Sequence, residues 1–185
     1  MSTLEVNKLT PLANNGTVTM GDSGDTISIP SGVTIANAGT ATGFGGGKIG
    51  QVVTATTSTA VTNTSTTYAD IGLSASITPS ASSSKIYVIA VVGILGDCGT
   101  ETNVTTQHRI LRGTTQVVFY NTARINGVQS HIGGSHPLNV LDSPSTSGSA
   151  VTYKVQQRVE VANGRNVISQ WNGGASTIVL MEVLA

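Results

Sequence analysis

The sequence predicts an all-β protein, a short-strand trimeric β-shaft at the N-terminus followed by a β-sandwich or jelly-roll head. Three observations predict it. Only 10% of the 185 residues are charged, against ~25% in ordinary soluble domains, and Thr, Ser, Gly, Asn and Val fill the gap. Thr and Val favour strands, and Gly, Asn and Ser favour turns. No stretch places apolar residues at i, i+3, i+4 and i+7, whereas apolar and polar residues alternate repeatedly. Clusters of Gly, Asn, Asp, Ser and Pro punctuate those alternating runs at short intervals. The length suits one well-buried domain with a smaller appendage.

The appendage is residues 1–47. Val18-Thr19-Met20, Ile27-Ser28-Ile29 and Val33-Thr34-Ile35 each set two apolar residues two apart around a hydroxyl residue, the signature of a strand with one buried face. Gly21-Asp22-Ser23-Gly24-Asp25 and Pro30-Ser31-Gly32 separate them as turns. One chain of such short strands buries too little to offset its ordering entropy, whereas three copies wound about one axis bury the apolar pairs together. The competing reading is a disordered polar linker. Gly43-Phe44-Gly45-Gly46-Gly47 then marks a hinge, since so many glycines cannot form an element interior. It is not a phosphate loop, because Lys48 is followed by Ile49 rather than Ser or Thr.

The head is residues 48–185. Candidate strands are Ile49–Ala55, Thr67–Ile77, Lys85–Leu95, Thr105–Arg112, Gln116–Asn121, Arg124–Ile132, Leu138–Leu141, Ala150–Val161, Asn166–Trp171 and Ser176–Leu184. Turns are expected at Pro79–Ser84, Gly96–Gly99, Asp142–Gly148, Asn163-Gly164 and Asn172-Gly173-Gly174. Short strands so punctuated fit a sandwich or jelly roll. Thr152–Val161 has one wet face, carrying Thr152, Lys154, Gln156, Arg158 and Glu160, opposite Tyr153, Val155, Val159 and Val161. Two strands are apolar on both faces. Ile86, Val88, Ala90, Val92 and Ile94 stand opposite Tyr87, Ile89, Val91 and Leu95, and Ile178, Leu180 and Leu184 opposite Val179, Met181 and Val183. A one-chain sandwich covers only the inner face, so these strands predict a subunit interface through Ile89, Val91, Val179, Leu180, Met181 and Val183. Glu182, the one charge on the last strand, needs a partner or a way to solvent.

Charge and cysteine content exclude several classes. Nine basic and nine acidic side chains cancel, so no nucleic-acid partner is expected. No polybasic segment or long apolar run suggests membrane insertion, and the start Met1–Lys8 does not read as a signal peptide. Cys98, the single cysteine, rules out an intrachain disulfide and reads as a small residue near a strand end.

Several phrases are distinctive. Gly21–Gly32 and Gly39–Gly45 resemble the shaft segment of phage tail-fibre-like proteins of marine and cyanobacterial viruses. Ile110–Gly113, Leu141–Pro144, Val151–Gln156 and Ser176–Glu182 resemble the head domain of the same group. The resemblance implies a homotrimer with a thin β-structured shaft and a distal β-sandwich, carried on the virion; the lone cysteine and the start of the chain fit synthesis in the host cytoplasm. Residues 1–47 would attach to a virion or adaptor protein, and the head to a host-surface glycan. A capsid or head fibre, or a decoration protein, is the alternative with the same architecture.

No catalytic residue, cofactor or metal is expected. His108, His131 and His136 lack metal-site spacing, and no nucleophile elbow is present. Glycan hydrolysis needs two carboxylates across a cleft, but the few acids here sit mostly at turns and strand ends, which disfavours a spike depolymerase. For ligand binding the candidates are His108, Arg109, Arg112 and Trp171. His108 and Arg112 fall on one strand face and Arg109 on the other. Arginine forks suit acidic groups on sugars, and Trp171 beside Gly173-Gly174 can stack on a sugar ring. The alternatives are solvated arginines and a core tryptophan.

Overall fold

A computed structural model describes residues 48–126 and 131–184, together with isolated positions between Thr17 and Gly32. The chain divides into two units, Met1–Thr42 and Gly43–Ala185. The shaft strands expected within residues 1–47 and the glycine hinge lie outside the described residues. Two of the expected turns are described, at Ser23-Gly24 and Ser31-Gly32, with φ of 97° and 87° at the glycines.

Ten strands follow: β1 (Ile49–Thr57), β2 (Val61–Asn63), β3 (Ala69–Ile77), β4 (Lys85–Asp97), β5 (Asn103–Arg112), β6 (Thr115–Asn126), β7 (His131–Asp142), β8 (Val151–Val159), β9 (Asn166–Ser169) and β10 (Ser176–Val183). They form two antiparallel sheets. In the first sheet, β10 and β9 follow one another along one edge of β4, and β7 pairs with the other edge. β1 and β2 follow one another in the same way along β10 and β9. The first sheet therefore has four rows, and the second has the order β3-β8-β5-β6. From β1/β2 to β9/β10 the chain passes back and forth between the sheets, with β5–β6 the one hairpin inside a sheet. That path is a jelly roll.

Alternation along each strand supplies the core. Ile71, Leu73 and Ile77 of β3, Ile86, Val88 and Val92 of β4, Tyr153 and Val155 of β8, and Ile178 and Leu180 of β10 meet between the sheets. Full burial of each large aliphatic side chain stabilises the fold by about 1.5–3 kcal/mol. A second cluster, Cys98, Val104, Val159 and Val167, also fills the interior, and Cys98 is fully buried just beyond the end of β4.

Several expected details differ: Leu138–Leu141 is only the end of β7, and Val161, expected on a core face, lies beyond β8 and is 49% exposed. Gln116–Asn121 and Arg124–Ile132 were expected as separate strands; β6 runs through the first and into the second, and Thr122 is an extra residue in its ladder, where Thr106 pairs with Ala123 and Gln107 with Asn121. β2 was not expected at all. The turn expected from Gly96 starts later, because Gly96 and Asp97 still pair with β7 and β9.

Candidate functional site

The outer face of the first sheet carries an apolar patch bordered by Thr54, Thr177 and Asn139. Across its rows, Val52, Met181, Tyr87 and Leu141 are register partners, as are Val179 and Ile89, and Val91 and Pro137. Val52 is 54% exposed, Leu141 51% and Val91 38%. Single exposed apolar residues need no explanation, but a contiguous patch does. Ile89, Val91, Val179, Met181 and Val183 stand on this face, as the sequence predicts. Leu180 does not. It pairs with Val53 and Val88, points between the sheets and is 0% exposed, so its place is the core of one chain rather than an interface.

Between β9 and β10 the chain leaves the sheet in a short 3-10 turn, Trp171–Gly173. The side-chain direction of Gly93, an outer-face position on β4, points at the carbonyls of Gly174 and Ala175, so the excursion lies over the outer face. Gln170, Asn172 and Gly173 all take positive φ. For the first two this conformation is unfavourable and has to be held by its surroundings. Gln170 supplies the hold. Its buried amide bonds to Ser176 Oγ at 2.9 Å, and in the orientation that satisfies both ends it donates to the carbonyls of Thr59 and Ser169. Its backbone N–H donates to Gly93 O at 2.8 Å. Trp171 is left 51% exposed at the surface instead of filling the core.

The outer face of the second sheet is polar and ordered. Arg109 donates from Nε (2.8 Å) and Nη2 (2.6 Å) to Gln156 Oε1, and from Nη1 to Gln116 Oε1 at 3.2 Å. Arg158 donates from Nε to Gln107 Oε1 at 2.6 Å and from Nη1 to Thr66 O at 3.1 Å. Both guanidinium groups lie against the Tyr68 ring, 4.0 and 4.6 Å from its centroid. Asp70 accepts from Lys154 Nζ (3.0 Å) and Gln156 Nε2 (2.7 Å). Burial opposes ionisation of Asp70, yet these bonds and the charges of Lys154 and Arg109 hold its carboxyl below the usual range. Phe119, the register partner of Arg109 on β6, is 53% exposed beside them. A β3 irregularity between Asp70 and Ser74, with Gly72 at φ 75°, opens a depression of about 110 Å³ lined by Asp70, Gly72, Ser74 and Lys154.

The other candidates turn inward. His108 is 0% exposed. Its Nδ1 meets Thr122 Oγ1 at 2.8 Å and its Nε2 meets Ser169 Oγ at 3.4 Å, and that hydroxyl donates to Gln157 Oε1 at 2.5 Å. Burial, with the nearby His136 adding to it, pushes the His108 imidazole down to about 3. It is a neutral core group and not a surface ligand. Arg112 shares the inner face, as expected, and forms an ion pair across to the first sheet, Nη1 to Asp142 Oδ2 at 2.8 Å; Tyr153 Oη donates to the same oxygen at 2.7 Å. Glu182 has found partners: Ser80 N–H and Oγ–H donate to Oε1 at 2.6 and 2.7 Å, and Gln51 Nε2 to Oε2 at 2.7 Å. Burial alone would raise its pKa, but these bonds outweigh it and hold the carboxyl at about 2.

His108, Arg109, Arg112 and Trp171 are therefore not one site. They stand respectively in the core, on the outer face of the second sheet, across the sandwich and over the outer face of the first sheet. Sequence reasoning missed Tyr68 and Phe119 and read Arg158 only as part of a wet face. Among the described residues no three His, Cys, Asp or Glu side chains are grouped to hold a metal.

What the geometry defines is a jelly-roll domain with one apolar outer face and one cationic, amide-braced outer face. No protein-family model matches the sequence, and no curated protein is significantly similar to it. Among the solved structures to which the chain is similar are two viral ones. One is a structure of infectious bursal disease virus Gt strain, at 15% identity and a TM-score of 0.37, over 73% of this chain and 38% of that one. The other is of T=1 particles derived from infectious bursal virus, at 15% identity and 0.36, over 73% and 36%. This chain thus spans well under half the length of either, and a likeness at this level bears on no functional assignment.

Proposed function

We propose that this chain is a non-enzymatic structural component of a virus particle: the jelly-roll head of a tail fibre or spike, homotrimeric, and used to attach to host-surface glycan. The observation that carries the proposal is the apolar outer face of the first sheet. A jelly roll that stays monomeric covers its inner faces only and leaves the outer ones wet. Here the row Val52–Met181–Tyr87–Leu141 and its neighbours need a cover, and copies of the same chain arranged about an axis supply one. The polar face of the second sheet then points away from that contact and is left for a ligand. The resemblance of Gly21–Gly32 and Ser176–Glu182 to phage fibre proteins supports placement on a virion, with residues 1–47 mounting the head on a virion or adaptor protein.

The test is the position of the chain on intact particles. Antibody fragments raised against residues 48–185 and carrying a gold label are expected to decorate projections at the tail. Label on the capsid shell instead would make the chain a head fibre or decoration protein. Particles that carry no label would contradict a virion role.

A further inference from the structure

The outer face of the second sheet carries an unusual use of arginine. Elsewhere in the head this chain braces a guanidinium with a carboxylate: Arg112 with Asp142 at 2.8 Å, and Arg165 with Glu101 at 3.3 Å. On this face Arg109 and Arg158 are braced by Gln156, Gln116, Gln107 and a backbone carbonyl. Amides fix a guanidinium in place without neutralising it. The nearby carboxylate, Asp70, is bonded to Lys154 and Gln156 and feels the charge of Arg109 without an ion pair to it. Farther along the face Arg124, paired with Thr105, and Glu160, bonded to the same residue, add one charge of each sign. A cationic excess remains, on a chain whose formal net charge is zero.

Part of the donor set is still open: Arg109 donates once from each of its three nitrogens, which leaves one N–H on each terminal nitrogen. A guanidinium has five N–H bonds, and Arg158 uses two of its donor atoms, Nε and Nη1, on protein acceptors among the described residues. Both guanidinium groups lie over the Tyr68 ring, which helps to hold them in place. The entropy cost of ordering two long side chains is therefore met before any ligand arrives. Phe119 offers an exposed apolar ring next to Arg109.

We infer that this face is a binding site for an acidic polysaccharide, with carboxylate or sulfate groups taken by Arg109 and Arg158 and a sugar ring resting on Phe119. Guanidinium forks match the geometry of planar and tetrahedral oxyanions, and an aromatic ring matches the C–H face of a pyranose. This rests on the attachment reading above and narrows it to one face and one class of glycan. Nucleic acid fits less well, because a phosphate backbone is held by many cations in a track, and here they are few and interleaved with amides.

The experiment measures binding of the full chain to immobilised polygalacturonate, dextran sulfate, neutral dextran and duplex DNA. Binding to polygalacturonate or dextran sulfate and not to dextran is expected, and which of the two is preferred separates carboxylate from sulfate. Arg109→Gln/Arg158→Gln should weaken that binding at least tenfold with the melting temperature little changed. Lys48→Gln/Lys85→Gln, which removes the same charge from the first sheet, should change it less than threefold. Three results would overturn the assignment: no binding to either acidic polymer, equal loss in both double variants, or tighter binding to DNA than to either acidic polymer. The attachment reading is judged separately, by where the chain sits on the particle.

Discussion

Lowering the pH from 7 to 5 should destabilise this domain, chiefly through His108. The imidazole is fully buried and its ordinary value of 6.5 is pushed down to about 3 by burial and by His136. Each ring nitrogen faces a hydroxyl, which can donate or accept; what disfavours the imidazolium is its charge in a dry interior. The folded state therefore refuses a proton that the unfolded state accepts. Stability rises with pH wherever the unfolded chain binds more protons. The contribution is complete above about pH 6.5, falls as the pH drops toward 3 and is flat below. With those two values the loss at pH 5 is about 2 kcal/mol, from the ratio of the two proton-binding polynomials. His136, also lowered by burial, acts in the same direction. Urea unfolding at pH 7 and pH 5 measures the difference. His108→Gln should lower stability at pH 7 but remove most of the pH dependence between 7 and 5. An equally large drop in the variant, or no drop in the wild type, would refute a buried neutral histidine.

Other predictions concern packing and a buried carboxylate. Leu180→Ala removes a side chain that fills the space between the sheets and should cost about 2–5 kcal/mol in urea unfolding. Lys154→Gln removes a partly exposed pair with Asp70 and should cost no more than about 1 kcal/mol; similar losses in both would mean the facing of β8 and β10 is misassigned. Glu182→Ala leaves the Ser80 and Gln51 donors without their acceptor, at an expected cost of about 1–3 kcal/mol. Because the folded carboxyl sits at about 2 against an ordinary 4.5, that part of the stability is present above pH 4.5 and is lost as the pH falls toward 2, a loss the variant should not show.

Strands with strong alternation were legible. Lys85–Leu95 and Ser176–Leu184 announced two apolar faces, and the structure places Ile86, Val88, Ile178 and Leu180 inside and Ile89, Val91, Val179 and Met181 outside. Alternation says which residues share a face and not which face is inner. His108 was misplaced for that reason; Leu180 was not, since alternation already sets it opposite Val179, Met181 and Val183. Thr106-Gln107-His108-Arg109 is polar on both sides, so its buried side is fixed by partners far away: Gln157, Ser169 and Thr122. β2 is three residues long, too short to show a period, and is tied in when the Asn63 side chain donates to Gln157 O. The break read between Asn121 and Arg124 is a bulge, which spoils alternation without ending a strand. The cationic face was half legible. Lys154-x-Gln156-x-Arg158 read as one wet face, but Tyr68 and Arg109 join it only through the β3-β8-β5 order, which no local pattern encodes.

The central claim is that copies of this chain cover the apolar outer face of the first sheet. Sedimentation equilibrium of the purified chain at micromolar concentration tests it, with Val179→Asp/Met181→Asp as the variant, since both side chains point outward on β10 and their replacement leaves the core of one chain intact. The account predicts a trimer for the wild type and a folded monomer, with unchanged far-ultraviolet circular dichroism, for the variant. A wild-type monomer, or a variant that remains trimeric, would contradict it.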